Sequence, residues 1–259
     1  MGVPVHSSAL TRVVLAPNPG PMTLDGTNSY LIGAADSPSV VVVDPGPDDP
    51  GHLRSLANAG PVELILITHR HRDHTAGSAE LARLTGAPVR AFDPAFCIDG
   101  DPLTDEEEIS AAGVRISVVA TPGHTADSVC FVLAADGAGS ILTGDTILGR
   151  GTTVIAAPDG DLADYLDSLA TLRRLGSLAV LPAHGPGLPD LAGICDNYLA
   201  HRRQRLDEVR AALERLGADA TTSAVTDLVY ADIDPAVRFA AEHSVEAQLA
   251  YLRTTDGLD

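Results

Sequence analysis

The run VELILITHRHRDH, residues 62–74, decides the reading of this chain. Its first seven residues are mostly apolar and β-branched, the composition of a buried strand. The last six, His69-Arg70-His71-Arg72-Asp73-His74, crowd three imidazoles and a carboxylate into the segment that leaves that strand. Imidazole nitrogen and carboxylate oxygen are the donors zinc accepts in catalytic sites, where one position stays open for water. His69 and His71 stand two apart, so they point the same way where extended chain ends. Asp73 and His74 follow at a turn into a helix, and Gly77 is expected to let the backbone bend there. One short segment can thus serve two adjacent metals, His69 and His71 for one, Asp73 and His74 for the other.

Two metals need further ligands, and the same design recurs downstream. VRISVVA, residues 114–120, runs into TPGHT with His124. SILT, residues 140–143, runs into GDT with Asp145, and SLAVLP, residues 177–182, runs into AHG with His184. Each candidate follows an apolar strand and has Gly or Pro beside it, so a rigid scaffold would hold it on a loop. A carboxylate such as Asp145 can bridge two cations through its two oxygens, whereas a neutral imidazole cannot. A lone histidine is more often a surface or satisfied core residue, and His6, His52, His201 and His243 lack any such setting. Asp44, in VVVDPG, either orients a ligand from behind or is a plain strand-to-turn aspartate.

SYLIG and SVVVVDPG read as two strands separated by the turn-rich AADSP. GSAELARLTG and DLADYLDSLATLRRLG have helical periodicity and stop at Gly86 and Gly176. Strands alternating with helices on this scale predict a layered α/β domain. After about residue 195 the pattern is helical only. NYLAHRRQRLDEVRAALERLG is long and amphipathic, TTSAVTDLVY is short with a Thr or Ser cap, and DPAVRFAAEHSVEAQLAYLR begins Asp-Pro, a helix start. The expected division is a catalytic domain over residues 1–195 and a helical subdomain over 196–259.

Composition narrows the function classes. All 17 basic residues are arginines, so a lysine Schiff base or lysine general base is excluded. A formal net charge of −18 counts against tight non-specific nucleic-acid binding, although a metal site supplies its own positive charge. The three widely spaced cysteines, Cys97, Cys130 and Cys195, suit reduced, buried thiols. No run approaches a membrane span, and the N-terminus lacks a basic start and apolar stretch, so a cytoplasmic location without membrane partners is expected.

HxHxDH followed by PGHT, GD and a late HG resembles the signature of the metallo-β-lactamase superfamily. The resemblance implies a four-layered αβ/βα sandwich with a dinuclear site at one edge. It assigns His69, His71 and His124 to the first metal and Asp73, His74 and His184 to the second, with Asp145 bridging. The cofactors implied are two Zn²⁺, though Mn²⁺ or Fe accept the same donors. Residues 18–33, NPGPMTLDGTNSYLIG, together with LTGDTILGRGT at 142–152 and the AHR…R…Leu helix from Ala200, resemble the lactamase-beta-2-like family more narrowly. That family carries a small winged-helix-like C-terminal domain, here with a β-wing expected to be short or missing. Where cysteine-containing zinc β-lactamases have a cysteine this chain has Asp145, which argues against β-lactam hydrolysis. Ala183 replaces a glycine usual before the last histidine.

The expected chemistry is attack by a metal-bridging hydroxide on a carbonyl carbon or phosphorus, with Asp73 orienting the nucleophile and accepting its proton. By resemblance the substrate class is a phosphodiester, with single-stranded RNA as the example. The alternative is an acyl or thioester bond, as in glyoxalase II, whose seven ligands are the same. A third reading makes the helical region a binding module with Arg202, Arg203 and Arg205 as its contact face. A redox diiron role is set aside because such relatives have Glu where this chain keeps His71. Arg70, Arg72 and Arg150 either bind a substrate phosphate or carboxylate or form surface ion pairs. Thr27, Asn28 and Tyr30 either line the pocket or serve the turn and strand they lie in.

Overall fold

The computed structural model describes residues 3–256. Among these residues, β1 (Val5–His6), β2 (Thr11–Leu15), β3 (Asn28–Ile32), β4 (Val40–Val43), β5 (Val62–Leu66) and β6 (Val89–Arg90) form one sheet in sequential order. A second sheet takes β7 (Glu108–Ala111), β8 (Val114–Ala120), β9 (Val129–Leu133), β10 (Ser140–Gly144) and β11 (Ala179–Pro182) in the order β11-β10-β9-β8-β7.

The two-residue period of the strands builds the layers. On β3 and β4, Tyr30, Ile32, Val41 and Val43 face Ile116, Val118, Phe131 and Leu142 of the second sheet. Leu31, Val40 and Val42 face the other way, onto Leu53 and Leu56 of α1 (Pro50–Ala57) and Leu81 of α3 (Ser78–Thr85). Behind the second sheet, Cys130, Ile141 and Val180 pack on Tyr165, Leu169 and Leu172 of α4 (Leu162–Arg174) and on Cys195 and Tyr198 of α5 (Leu191–Leu216). The result is helix, sheet, sheet, helix, the four-layered αβ/βα sandwich.

The C-terminal region is helical, with α5, α6 (Thr222–Val229) and α7 (Arg238–Asp256). No strand follows β11 among the described residues, so this region has no β-wing there. The boundary expected at residues 195 and 196 falls inside α5, which is one continuous helix. Val209, Val225, Val245 and Leu252 join the same core as the second sheet. Thr221 caps α6 by accepting from the Ala224 amide. The Asp-Pro start at 234–235 forms a separate single 3₁₀ turn, Pro235–Val237, before α7 begins. Cys130 and Cys195 are buried, Cys97 is half-buried, and all three are free thiols. No helix among the described residues is long and apolar enough to cross a membrane.

At one edge the two sheets are stitched together. The Val129 amide donates to Thr68 O at 2.8 Å, and the Asn28 amide donates to Ala183 O at 2.7 Å. The loops that leave β5, β8, β10 and β11 all emerge here. Gly123, in the loop after β8, has φ +131°, and a Cβ built on it would lie 2.4 Å from the Tyr165 backbone of α4. That contact is with main chain, so nothing small can yield. Gly123→Ala should therefore lower stability by about 3 kcal/mol or more, combining backbone strain with overpacking. Urea unfolding of the metal-free protein checks this, and an unchanged midpoint would refute it.

Candidate metal centre

Six of the seven expected donors lie on loops at that edge or on the single turn α2 (Arg72–Thr75), and the seventh, Asp145, directly follows β10. Two sets form. His69, His71, His124 and Asp145 make one, and Asp73, His74 and His184 make the other.

In the first set, His71 Nδ1 lies 3.0 Å from His69 Nε2 and 3.1 Å from His124 Nε2. Asp145 Oδ2 lies 3.6 Å from His124 Nε2 and 4.0 Å from His69 Nε2. In the second, Asp73 Oδ2 is 3.4 Å from His74 Nε2 and 3.2 Å from His184 Nε2. The other oxygen of Asp145, Oδ1, is 3.6 Å and 3.3 Å from those same two nitrogens. Asp145 thus turns one oxygen to each set.

These separations resemble the edges of a coordination tetrahedron. Bonds of about 2.0–2.1 Å to a central ion give ligand–ligand edges of about 3.3 Å. Hydrogen bonding does not account for the second set. His74 Nε2, His184 Nε2 and Asp145 Oδ1 are buried without a hydrogen-bond partner although polar atoms surround them. Atoms so placed aim at a common point rather than at each other, and buried polar atoms left this way are costly unless something else satisfies them. The donor set fits two divalent ions.

The far side of each ring fixes which nitrogen is free. His74 Nδ1 donates to Asp44 Oδ2 at 2.8 Å, His124 Nδ1 to Val154 O at 2.8 Å and His184 Nδ1 to Gly26 O at 3.1 Å. With Nδ1 protonated, Nε2 carries the lone pair a metal needs. His71 is the exception, presenting Nδ1, which spacing alone does not reveal. Its ring is also the exposed one, whereas His69, His74, His124 and His184 are buried.

The two sets differ electrostatically. Burial, then the neighbouring His74, His124 and His71, hold His69 well below the usual imidazole pKa. Burial and His124 likewise lower His71. His74 and His184 go the other way. Burial opposes their charge, but Asp44 and Asp145 beside His74, and Asp145 and Asp73 beside His184, outweigh it and raise both. For Asp73 burial works against ionisation, yet contacts from His184 and His74 overcome it and keep the carboxyl ionised far below its usual range.

A sequence profile described as "Metallo-beta-lactamase superfamily" matches residues 22–184, which hold all seven donors. The chain belongs to this superfamily. It is 34% identical, across 95% of its length and 84% of the relative, to "Beta-lactamase-like protein 2 homolog" of Caenorhabditis elegans. It is 33% identical over 81% of its length to "Lactamase-like protein adaB" of Aspergillus niger, and spans only 66% of that protein. A metallo-beta-lactamase family protein of Thermus thermophilus superposes with a TM-score of 0.78 at 24% identity, over 95% of this chain and 94% of that one. The protein is a metallo-hydrolase of the lactamase-like branch.

Residues around the two sets hold the candidate donors in place. Asp44 is buried at φ 53°. Besides His74 it accepts from the Thr68 amide at 2.8 Å and the Thr68 hydroxyl at 2.7 Å. Asp44→Ala removes the acceptor that orients His74 and should weaken metal binding about 10–100-fold. Competition against a chromophoric chelator measures this, and unchanged affinity would refute the role.

Thr27, Asn28 and Tyr30 clamp the His184 loop. Asn28 Nδ2 donates to Pro182 O and Gly185 O, both at 2.9 Å, and the Tyr30 hydroxyl donates to Pro182 O at 2.9 Å. Thr27 bridges His184 main chain to main chain. Their strand-and-turn reading is therefore the one the contacts favour. Gly77 has an ordinary backbone conformation. Its need is space, since a Cβ there would meet Leu53 of α1 at 2.6 Å. Arg70 is held by Asp127, Asp93 and Asp159 at 3.1, 3.3 and 3.4 Å. Arg72 is exposed, and Arg150 pairs at the surface with Asp25 at 2.8 Å.

A cavity of about 360 Å³ opens beside the candidate donors His124 and Asp145 and is also lined by residues of the C-terminal helices. His201, Arg202, Arg205 and Tyr230 line it along with Arg150. Arg202 is buried and Arg205 half-buried, so the expected surface cluster of Arg202, Arg203 and Arg205 is not one continuous outer face. His201, which has no metal-motif setting, was the least legible of these residues. Its helical neighbours at 202 and 205 are its only signal.

Proposed function

We propose that this protein hydrolyses ester or thioester bonds of small molecules with a dinuclear metal site formed by the seven donors. His69, His71 and His124 would hold one ion, Asp73, His74 and His184 the other, and Asp145 both. The carrying observation is the cavity that shares His124 and Asp145 with the donor sets. Its volume falls in the range of small-molecule sites. A polynucleotide asks instead for a long, basic, open track, and the chain carries a net charge of −18. RNA cleavage rests on resemblance alone.

When bound, a metal pair of this kind lowers the pKa of water and polarises a substrate carbonyl or phosphoryl oxygen. Zinc suits the nitrogen-rich first set, and manganese or iron accept the same donors. The chain's own residues do the rest. Asp44, Gly26 O and Val154 O fix the imidazole tautomers, so the ligands need little rearrangement. The Asp73 side chain is 28% exposed against 12% for Asp145, so Asp73 is the more accessible of the two carboxylates, while Asp145 is the one that lines the cavity. We assign Asp73 orientation of the nucleophile and acceptance of its proton. Leu148, Val154 and Ile233 of the cavity wall offer apolar surface to an acyl or alkyl group. Free thiols suit a reducing, cytoplasmic setting.

Turnover of p-nitrophenyl hexanoate, S-hexanoyl-glutathione and single-stranded RNA by the metal-loaded protein tests this. Faster cleavage of the first two supports the reading. Cleavage of RNA alone would overturn it.

A further inference from the structure

We infer that the cavity contains a built subsite for an anionic oxygen group, centred on Arg202, so that the substrate is a small molecule with a carboxylate or phosphate at the end away from the scissile bond. This deepens the small-molecule hydrolase reading and rests on it. Arg202 is only 4% exposed. Its Nη2 donates to Thr153 O at 2.5 Å, and its Cζ lies 5.1 Å from the Tyr165 ring centroid. Its Nε is buried with no hydrogen-bond partner. Among the described residues no carboxylate forms an ion pair with it. A buried guanidinium without an anion is a costly arrangement, and it lines the cavity.

The neighbouring arginines carry the same sign, and burial together with Arg202 and Arg205 lowers the His201 pKa and favours its neutral form. On α5, Arg205 lies three residues from Arg202 and four from His201, so it is a helical neighbour of both. His201 Nδ1 is also buried without a partner. Arg205 is fixed rather than free, with Nη1 on Glu208 at 2.5 Å and Cζ 4.7 Å over the Tyr230 ring. Arg150 stands at the rim, paired with Asp25. Among the described residues that line the cavity, Asp145 is the one acid. In a chain with a net charge of −18, three arginines gathered on one cavity run against the composition. Met22, Leu24, Val237 and Ala240 add apolar lining to the same cavity. Guanidinium groups form paired hydrogen bonds to carboxylate and phosphate alike, so both are candidates for the recognised end.

The test compares matched probes on the metal-loaded protein. Mono-p-nitrophenyl adipate carries a terminal carboxylate, and p-nitrophenyl hexanoate is its neutral counterpart. Wild-type protein should favour the adipate ester about tenfold or more, through KM, given the strength of a charge-assisted contact. Arg205→Gln, at a half-buried position, should raise KM for the adipate ester severalfold more than KM for the neutral ester. Arg202→Lys keeps the charge and loses the fork, and should do the same more strongly. Equal effects on both esters, or no wild-type preference, would overturn the subsite. Should neither ester turn over, the hydrolase reading fails instead, and calorimetry still decides the subsite. Hexanoate or hexyl phosphate binding where hexanol does not supports it, and their ratio separates carboxylate from phosphate. Equal binding of all three refutes it.

Discussion

Asp145→Ala should reduce hydrolysis by on the order of 10³-fold or more, since loss of one pre-set electrostatic contact to a transition state already costs about 10²–10³-fold. The reason is positional. Asp145 Oδ2 faces His69 and His124, while Oδ1 faces His74 and His184. No other described residue serves both sets, so removing it disturbs two ions at once. Metal content by elemental analysis should fall from near two per chain toward one or none. The fold should survive, because Asp145 sits at the site edge rather than in a hydrophobic core. Circular dichroism of the variant checks that the loss is local. Full activity with two retained metals would refute the bridging role and with it the assigned centre.

Chelation should lower the melting temperature of the purified protein by roughly 10 °C or more. An ion present at about 1,000 times its dissociation constant contributes about 4 kcal/mol, and for a chain of this size 1 kcal/mol is worth about 2–4 °C. Emptying the site leaves His74 Nε2, His184 Nε2 and Asp145 Oδ1 buried and unsatisfied. The pH dependence has a definite sign. Acidic neighbours raise the pKa of His74 and His184, so protons compete with metal as pH falls through those raised values. Metal retention should therefore weaken on acidification and recover as pH rises. Scanning calorimetry with and without chelator, at neutral and mildly acidic pH, measures both effects. A melting temperature indifferent to chelator would refute metal occupancy.

How legible these features were depends on how local their causes are. The strand at β5 and the HxHxDH turn that follows declare themselves because burial period and donor chemistry are written in consecutive residues. The Gly86 stop of α3, where φ is 73°, is local in the same sense. Strands β2, β7 and β9 have weaker patterns, and their places depend on pairing with distant partners. Asp44 shows the intermediate case. Its turn is legible, but its hold on His74, thirty residues on, is a fact of folding. Arg70 is similar, since three acids from separate loops take it up.

By itself the sequence determined the donor types, their strand-end positions, the layered α/β class and the absence of lysine chemistry. Those follow from local periodicity and from the fixed chemistry of each side chain. Only the tertiary structure decided that Asp145 turns one oxygen to each donor set, that His71 turns Nδ1 to its set, and that α5 carries Arg202 into a cavity beside the candidate donors. The physical reason is that orientation and enclosure arise when two sheets and the C-terminal helices meet, through contacts between residues far apart in the chain.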